Sequence, residues 1–395
     1  MTTDVRDSPR ARRVLAASNL GLVCTGLYAT AFGPALPFLA ADFGVSLDRA
    51  GLLLTALFLG SITASASLAL RFHSLEARLV GAVGLTTVAA GLVLLGIAPS
   101  WQTAIASAVL LGVGDGLLVA SAHAIAASVA VNPGAAINRL NLYFAFGATV
   151  GPIWSGAILS QTGERGILFT GIALTALIAA ALLLAVGRVP ILQTHDAGDP
   201  LRPHGATPWV MGAVLCLYVG AEFGLGSWVS SYSKDAFGTG VMAGAFVTAG
   251  YWGALAVGRL VSTSLFEHGQ RSSTVLTGAM VGALIASTLL VAAGGNAAAG
   301  ITAALATGFF FGPIWPSAIA AASERARANA PALMVTVGNA GGLIFPWLQG
   351  RVLVSSGSSS AIAVTAILCA AMLVVCGAFL LATSRRPARP QPSLE

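Results

Sequence analysis

The chain has 395 residues, of which 56% belong to the set AVILMFWYC and only 9% are charged, against roughly 25% charged residues in an ordinary soluble domain. Twenty Lys and Arg, fourteen Asp and Glu and a mean hydropathy of +0.85 leave too little polar surface to cover a water-facing globule, so most of the exterior must face lipid. The net charge of +6 comes from cations strung singly between apolar runs, which excludes a basic nucleic-acid-binding helix or module.

Twelve apolar stretches are long enough to cross a bilayer core, which takes about 20 helical residues. They run near 14–40, 49–70, 79–98, 101–130, 137–160, 166–188, 208–233, 241–263, 272–293, 297–322, 331–354 and 360–383. Barrel strands would appear as alternating pieces of about ten residues, whereas Leu168 to Val186 is continuously apolar and demands a helix. The first stretch follows Arg10, Arg12 and Arg13 and is too long for a cleaved signal segment, so it reads as a retained span. Cys24, Cys216, Cys369 and Cys376 all lie within apolar stretches and read as small buried hydrophobes, with no metal site implied.

The positive-inside rule orients these spans. With the N-terminus in the cytoplasm, 16 of the 20 cations fall inside, and Arg49, Arg165, Lys234 and Arg351 fall one each in alternate outside loops. Both termini are therefore expected in the cytoplasm, on a protein of the cell membrane. The longest loop, near 190–207, carries Pro200, Pro203, His195 and His204 and divides the spans six and six. The expected organisation is a tail over 1–13, a six-helix half over 14–189, a linker over 190–207, a second half over 208–383 and a tail over 384–395.

Ala124-Ile125-Ala126-Ala127 in span four is repeated as Ala318-Ile319-Ala320-Ala321 in span ten, 194 residues on. Gly147 and Gly151 in span five pair with Gly338 and Gly342 in span eleven, 191 residues on. Together these predict an all-α integral membrane fold of twelve helices in two six-helix halves, related by a pseudo-two-fold axis along the membrane normal.

Several motifs carry a resemblance. They are Leu140 to Pro152 in span five, Tyr218 to Trp228 in span seven, Tyr251-Trp252-Gly253 with Gly258-Arg259 in span eight, Gly312 to Pro316 in span ten, and Gly338 to Gly342 in span eleven. With the six-plus-six arrangement they resemble the major facilitator superfamily, and within it the fucose-permease-like branch of sugar:proton symporters. The chain departs from that pattern after span two, where Leu70 to Arg78 replaces a Gly-Asp-Arg-Gly-Arg-like signature. Span one has no acid between Ala16 and Ala41, Val119 stands at the branch's acidic position in span four, and His123 stands where Asn is expected.

Charges at bilayer depth cost about 2.5–3.5 kcal/mol on insertion scales and usually face the bundle interior. Asp115 and Glu222 lie 14 and 13 residues from the interfacial Trp101 and Trp209, about 20 Å in. A carboxyl group that alternates between burial and water can bind and release a proton. Both residues are candidates for proton coupling, with an interhelical hydrogen-bond anchor as the alternative. His123, two turns beyond Asp115, is a third candidate, or a structural hydrogen-bonder.

Asn141 and Asn339 can hydrogen-bond a polyol from Gly-rich motifs, or join helices. The resemblance adds Tyr143 and Glu222 to a substrate site, and the flat faces of Trp252 and Trp315 suit a sugar ring or an amphipathic solute. Arg259 is expected to support a gate. Gly112, Gly114 and Gly116 follow no strand and make no nucleotide loop. No metal cluster or nucleophile with a neighbouring base is visible, so no enzyme and no cofactor are expected. The resemblance implies a monomeric, proton-gradient-driven transporter of a sugar-like small molecule working by alternating access, with export of amphipathic compounds by proton antiport as the alternative, and a membrane-bound enzyme or a transporter-like sensor as the alternatives of another class.

Overall fold

The computed structural model describes residues 8–71, 75–186, 206–323 and 330–384, and every element in them is helical. In chain order the helices are α1 (Pro9–Asp42), α2 (Leu47–Ala50), α3 (Leu52–Arg71), α4 (Ala77–Gly96), α5 (Trp101–Val129), α6 (Pro133–Gln161) and α7 (Arg165–Ala185). The second half comprises α8 (Thr207–Phe237), α9 (Val241–Glu267), α10 (Ser272–Ala292), α11 (Ala297–Phe311), α12 (Ile314–Ser323), α13 (Ala330–Ser356) and α14 (Ser358–Ser384). The expected linker and C-terminal tail lie almost wholly outside the described residues, as do residues 1–7 of the expected N-terminal tail, whereas residues 9–13 of that tail already form the first turns of α1.

Helix boundaries follow local chemistry. Ser8, Asn132 and Asn296 cap α1, α6 and α11 by accepting a backbone N–H three residues on, and Ser100 with Thr103 forms a capping box on α5. Gly238, at φ 66°, ends α8 in the left-handed conformation that disfavours a side chain. Two differences from the sequence expectation stand out. Span two begins with the separate turn α2 before Gly51, and span ten is broken between α11 and α12 at Gly312-Pro313, where proline has no N–H to continue the ladder.

Among the described residues, eleven segments are helical, long and apolar enough to cross a membrane, with α2–α3 and α11–α12 each counting as one. The twelfth span, α13, is interrupted by Asn339, Pro346, Gln349 and Arg351. α1 and α8 are the central pair, with 78% and 72% of their most apolar residues buried, whereas α14 on the periphery buries 33%.

The two halves are built on the same close crossings. A Cβ on Gly147 of α6 would overlap the Val23 carbonyl of α1, and a Cβ on Gly341 of α13 would overlap the Cys216 carbonyl of α8. The glycines are 194 residues apart and the carbonyls 193. Likewise Gly112 meets the Leu57 carbonyl and Gly312 the Leu255 carbonyl, while Gly60 meets Val109 and Gly258 meets Phe309. These contacts identify the partner of Gly147 as Gly341 rather than Gly338, a shift of nearly one helical turn. With no hydrophobic drive between helices in lipid, such backbone approach supplies the association. Gly341→Val should therefore remove most folded protein, because backbone rather than a movable side chain blocks the new atoms; detergent-extracted yield and size-exclusion profile measure this.

With the chain ends marking the near side of the bundle, the halves meet on both sides, and on the far side three contacts join them. There α1 crosses α8, with the Gly226 carbonyl 2.9 Å from where a Gly33 Cβ would stand. Thr55 Oγ1 donates to the Leu343 carbonyl at 2.8 Å, and Arg351 pairs with Asp48 at 3.7 Å. On the near side, Asn138 of α6 reaches Thr263 of α9 at 3.4 Å. Among the described residues, no Cα of α5 comes within 8 Å of α11, α12 or α13. α6 and α9 instead stay side by side along their length, from Gly156 beside Ala245 on the far side to Asn138 beside Thr263 on the near side.

Candidate functional site

Glu222 is the sixteenth of the 31 residues of α8, and Asp115 the fifteenth of the 29 of α5. Each carboxylate therefore sits at the middle of its span, where water is scarcest and a charge most needs partners.

Glu222 is only 3% exposed. Tyr218, one turn earlier on the same face, donates its hydroxyl to Glu222 Oε1 at 2.7 Å. Arg259 Nη2 approaches the same oxygen at 3.4 Å, and the Tyr251 hydroxyl donates to the Glu222 backbone carbonyl at 2.9 Å. Arg259 was expected at a gate near the helix end; its side chain instead runs inward to the central carboxylate. The guanidinium also lies 5.9 Å from the centre of the Phe144 ring, which belongs to α6 of the other half. Its Nε is buried without an acceptor.

Aromatic rings enclose this ion pair. Tyr218 stands 6.3 Å from Trp315 and 5.8 Å, edge on, from Phe311. Tyr251 contacts Trp252 at 5.3 Å, and Phe223 joins Trp252 at 5.4 Å to Phe58 of the first half at 5.1 Å. Trp252 is 1% exposed and its Nε1–H has no acceptor. Glu222, Arg259, Trp252 and Trp315 are thus brought together, with Tyr218, Tyr251 and Phe223 added by the structure.

Asp115 has its own partners. The Tyr28 hydroxyl of α1 donates to Oδ1, and the Ser61 hydroxyl of α3 donates to Oδ2 at 2.8 Å. Three helices of the first half therefore meet at one carboxylate. His123 lies apart from this group, its Nδ1–H donating to the Val119 carbonyl of its own helix at 2.8 Å. No signal in the sequence marks Tyr28 or Ser61, since neither neighbours Asp115 along the chain. Tyr218 does carry such a signal, four residues before Glu222.

The remaining candidates lie on α6 and α13. Asn141 borders a cavity of about 200 Å³ between α6 and α9, which Arg259 also borders. Asn339 is half-buried on α13 next to Gly338, which packs near Trp315. Tyr143 is two residues past Asn141, a turn of about 200°, and is 41% exposed near Phe146 at 62%. The structure does not bring it to the central group. Among the described residues, no group of three His, Cys, Asp or Glu side chains could hold a metal ion.

Comparison with known proteins accords with this architecture. The chain resembles the outward-conformation crystal structure of the transporter FucP, at 17% identity over 94% of this chain and 99% of that one, with a TM-score of 0.66. It also resembles an inward-facing, unoccupied bacterial homolog of the human lysosomal transporter Spinster, at 18% identity over 96% of each chain and a TM-score of 0.68. A curated relative, the bypass of stop codon protein 6 of Saccharomyces cerevisiae, is 29% identical over 151 residues; the match spans 34% of this chain and only 30% of that protein. The family model of the Major Facilitator Superfamily matches residues 19–346. The chain belongs to the Major Facilitator Superfamily, and is a multi-pass membrane transporter of the secondary type rather than an enzyme.

Proposed function

We propose that the protein couples proton movement to the transport of a small polyhydroxylated solute, with Glu222 as the coupling carboxylate. The observation that carries this reading is the buried Glu222–Arg259 pair at mid-span, completed by Tyr218. Ionised, Glu222 holds Arg259 and the hydroxyl of Tyr218. Protonated, it loses its attraction for the guanidinium, which also rests on Phe144 across the junction. The proton is then felt at the contact on which the two halves move.

Asp115 provides a second mid-span carboxyl, tied to α1 and α3 through Tyr28 and Ser61. The arginine bias of the near-side loops supports cytoplasmic termini. The unpaired Nε1–H of Trp252 and the amides of Asn141 and Asn339 supply donors for hydroxyl groups. A second reading, export of an amphipathic compound by proton antiport, is favoured by the ring-rich surroundings of Glu222.

Cargo chemistry separates the two. A polyol depends on fixed polar partners, and losing one buried amide costs about 1–3 kcal/mol, or roughly 5- to 150-fold in affinity. Isothermal titration with a polyol found by thermal-shift screening should show that loss in both Asn141→Ala and Asn141→Leu, with Trp315→Ala weakening binding as well. Unchanged affinity in both Asn141 variants, together with loss in Trp315→Ala, would move the cargo to the amphipathic class.

A further inference from the structure

The cavity between α6 and α9 has a polar lining, unlike the larger groove between α10 and α11. Asn138, Arg139 and Thr263 form its mouth, Leu142 and Leu260 its flanks, and Asn141 and Arg259 lie deeper. By contrast, the larger groove between α10 and α11 is lined by Ala, Leu, Ile, Gly, Phe and a single Thr. The α6–α9 cavity therefore presents two guanidinium-bearing residues, two amides and a hydroxyl, with no carboxylate in its wall. Arg139 is exposed and has no carboxylate partner among the described residues.

Depth decides what can reach it. α6 has 29 residues, about 44 Å at 1.5 Å each, and overhangs a 30 Å hydrocarbon core by about 7 Å at each end. Asn138 and Arg139 lie five and six residues from the helix start, and Thr263 four residues before the end of α9. The polar mouth thus falls at the level of lipid headgroups. Leu142 and Leu260, 46% and 51% exposed, lie about one turn toward the bilayer centre, at the level of acyl chains.

We propose that this crevice binds an anionic phospholipid, with the Arg139 guanidinium and the Asn138 amide holding the phosphate beside Thr263, and Leu142 and Leu260 contacting the chains. A polar pocket at headgroup level with apolar flanks directly above matches a lipid from head to tail, and basic pockets between spans suit anionic headgroups. One wall comes from each half, so an occupied crevice braces the near-side junction next to the Asn138–Thr263 contact. The lipid then favours whichever conformation keeps those walls together.

The test measures thermal unfolding and native mass spectra of the full-length protein with dioleoyl phosphatidylglycerol, dioleoyl phosphatidylcholine or inorganic phosphate. Phosphatidylglycerol should stabilise the wild type more than phosphatidylcholine, and inorganic phosphate should not. Arg139→Gln should weaken phosphatidylglycerol binding about fivefold, whereas Arg271→Gln, removing a near-side charge away from the crevice, should leave it unchanged. Asn138→Leu removes a headgroup donor without changing charge and should act in the same direction, which keeps the test open if Arg139→Gln does not fold. Equal stabilisation by the two lipids, equal losses in the Arg139 and Arg271 variants, or equal protection by inorganic phosphate would each overturn the proposal. None of these readings depends on the transported solute, so they stand apart from the cargo experiment.

Discussion

Glu222→Gln should bring solute accumulation in proteoliposomes with a one-unit pH gradient from about tenfold down to parity, while labelled solute still exchanges for unlabelled. One pH unit supplies 1.36 kcal/mol per proton, equal to a tenfold concentration ratio for one coupled proton. Glutamine keeps the shape and one oxygen acceptor for Tyr218 but cannot take up or release the proton. Exchange needs only that the halves rock with solute bound, so it survives. Accumulation at the wild-type level would remove Glu222 from coupling, whereas loss of both accumulation and exchange would indicate damage to the path itself. The mid-span position, the 3% exposure and the three hydroxyl and guanidinium contacts all lead to the first outcome.

Breaking the Glu222–Arg259 pair from the other side has a second large effect, on stability. Arg259→Gln leaves the carboxylate buried with Tyr218 alone, and removing one partner of a buried ion pair costs up to about 3–5 kcal/mol. Proton uptake by Glu222 limits that cost at low pH. The double variant Glu222→Gln, Arg259→Gln leaves no orphaned charge and should recover most of the loss. Unfolding midpoints of the four proteins in one detergent form the cycle. Additive losses would mean that the 3.4 Å approach carries no coupling.

The spans were legible in the sequence because a run such as Leu168 to Val186 has no other stable form in lipid. The two mid-span acids were legible for the same reason, since any charge in such a run stands out. Their partners were not. Tyr28 and Ser61 lie 87 and 54 residues from Asp115, and which faces meet is decided by helix packing that apolar runs do not encode. Arg259 shows how a long side chain defeats position along a helix. Its Cα lies about 12 Å from the near-side end of α9, yet the guanidinium reaches a residue at mid-span. The repeat was visible, but in glycine-rich α13 three glycines compete within five residues, and only the carbonyl of Cys216 selects Gly341. The break at Gly312-Pro313 was written in the sequence, where the apolar composition masked it.

The far-side pair of Asp48 and Arg351 has a consequence for turnover. Arg351 is 61% exposed, and the two atoms are 3.7 Å apart. With Asp48 at 14% exposure but its partner largely in water and the approach long, the pair contributes about 1 kcal/mol, roughly a fivefold bias between two conformations. It is also screened, because the Debye length shrinks from about 10 Å at 0.1 M salt to about 3 Å at 1 M. A strong clasp there would have stalled the cycle with one side permanently sealed. A weak one holds the far side closed only lightly, so a bias of the size proposed for a proton on Glu222 would outweigh it.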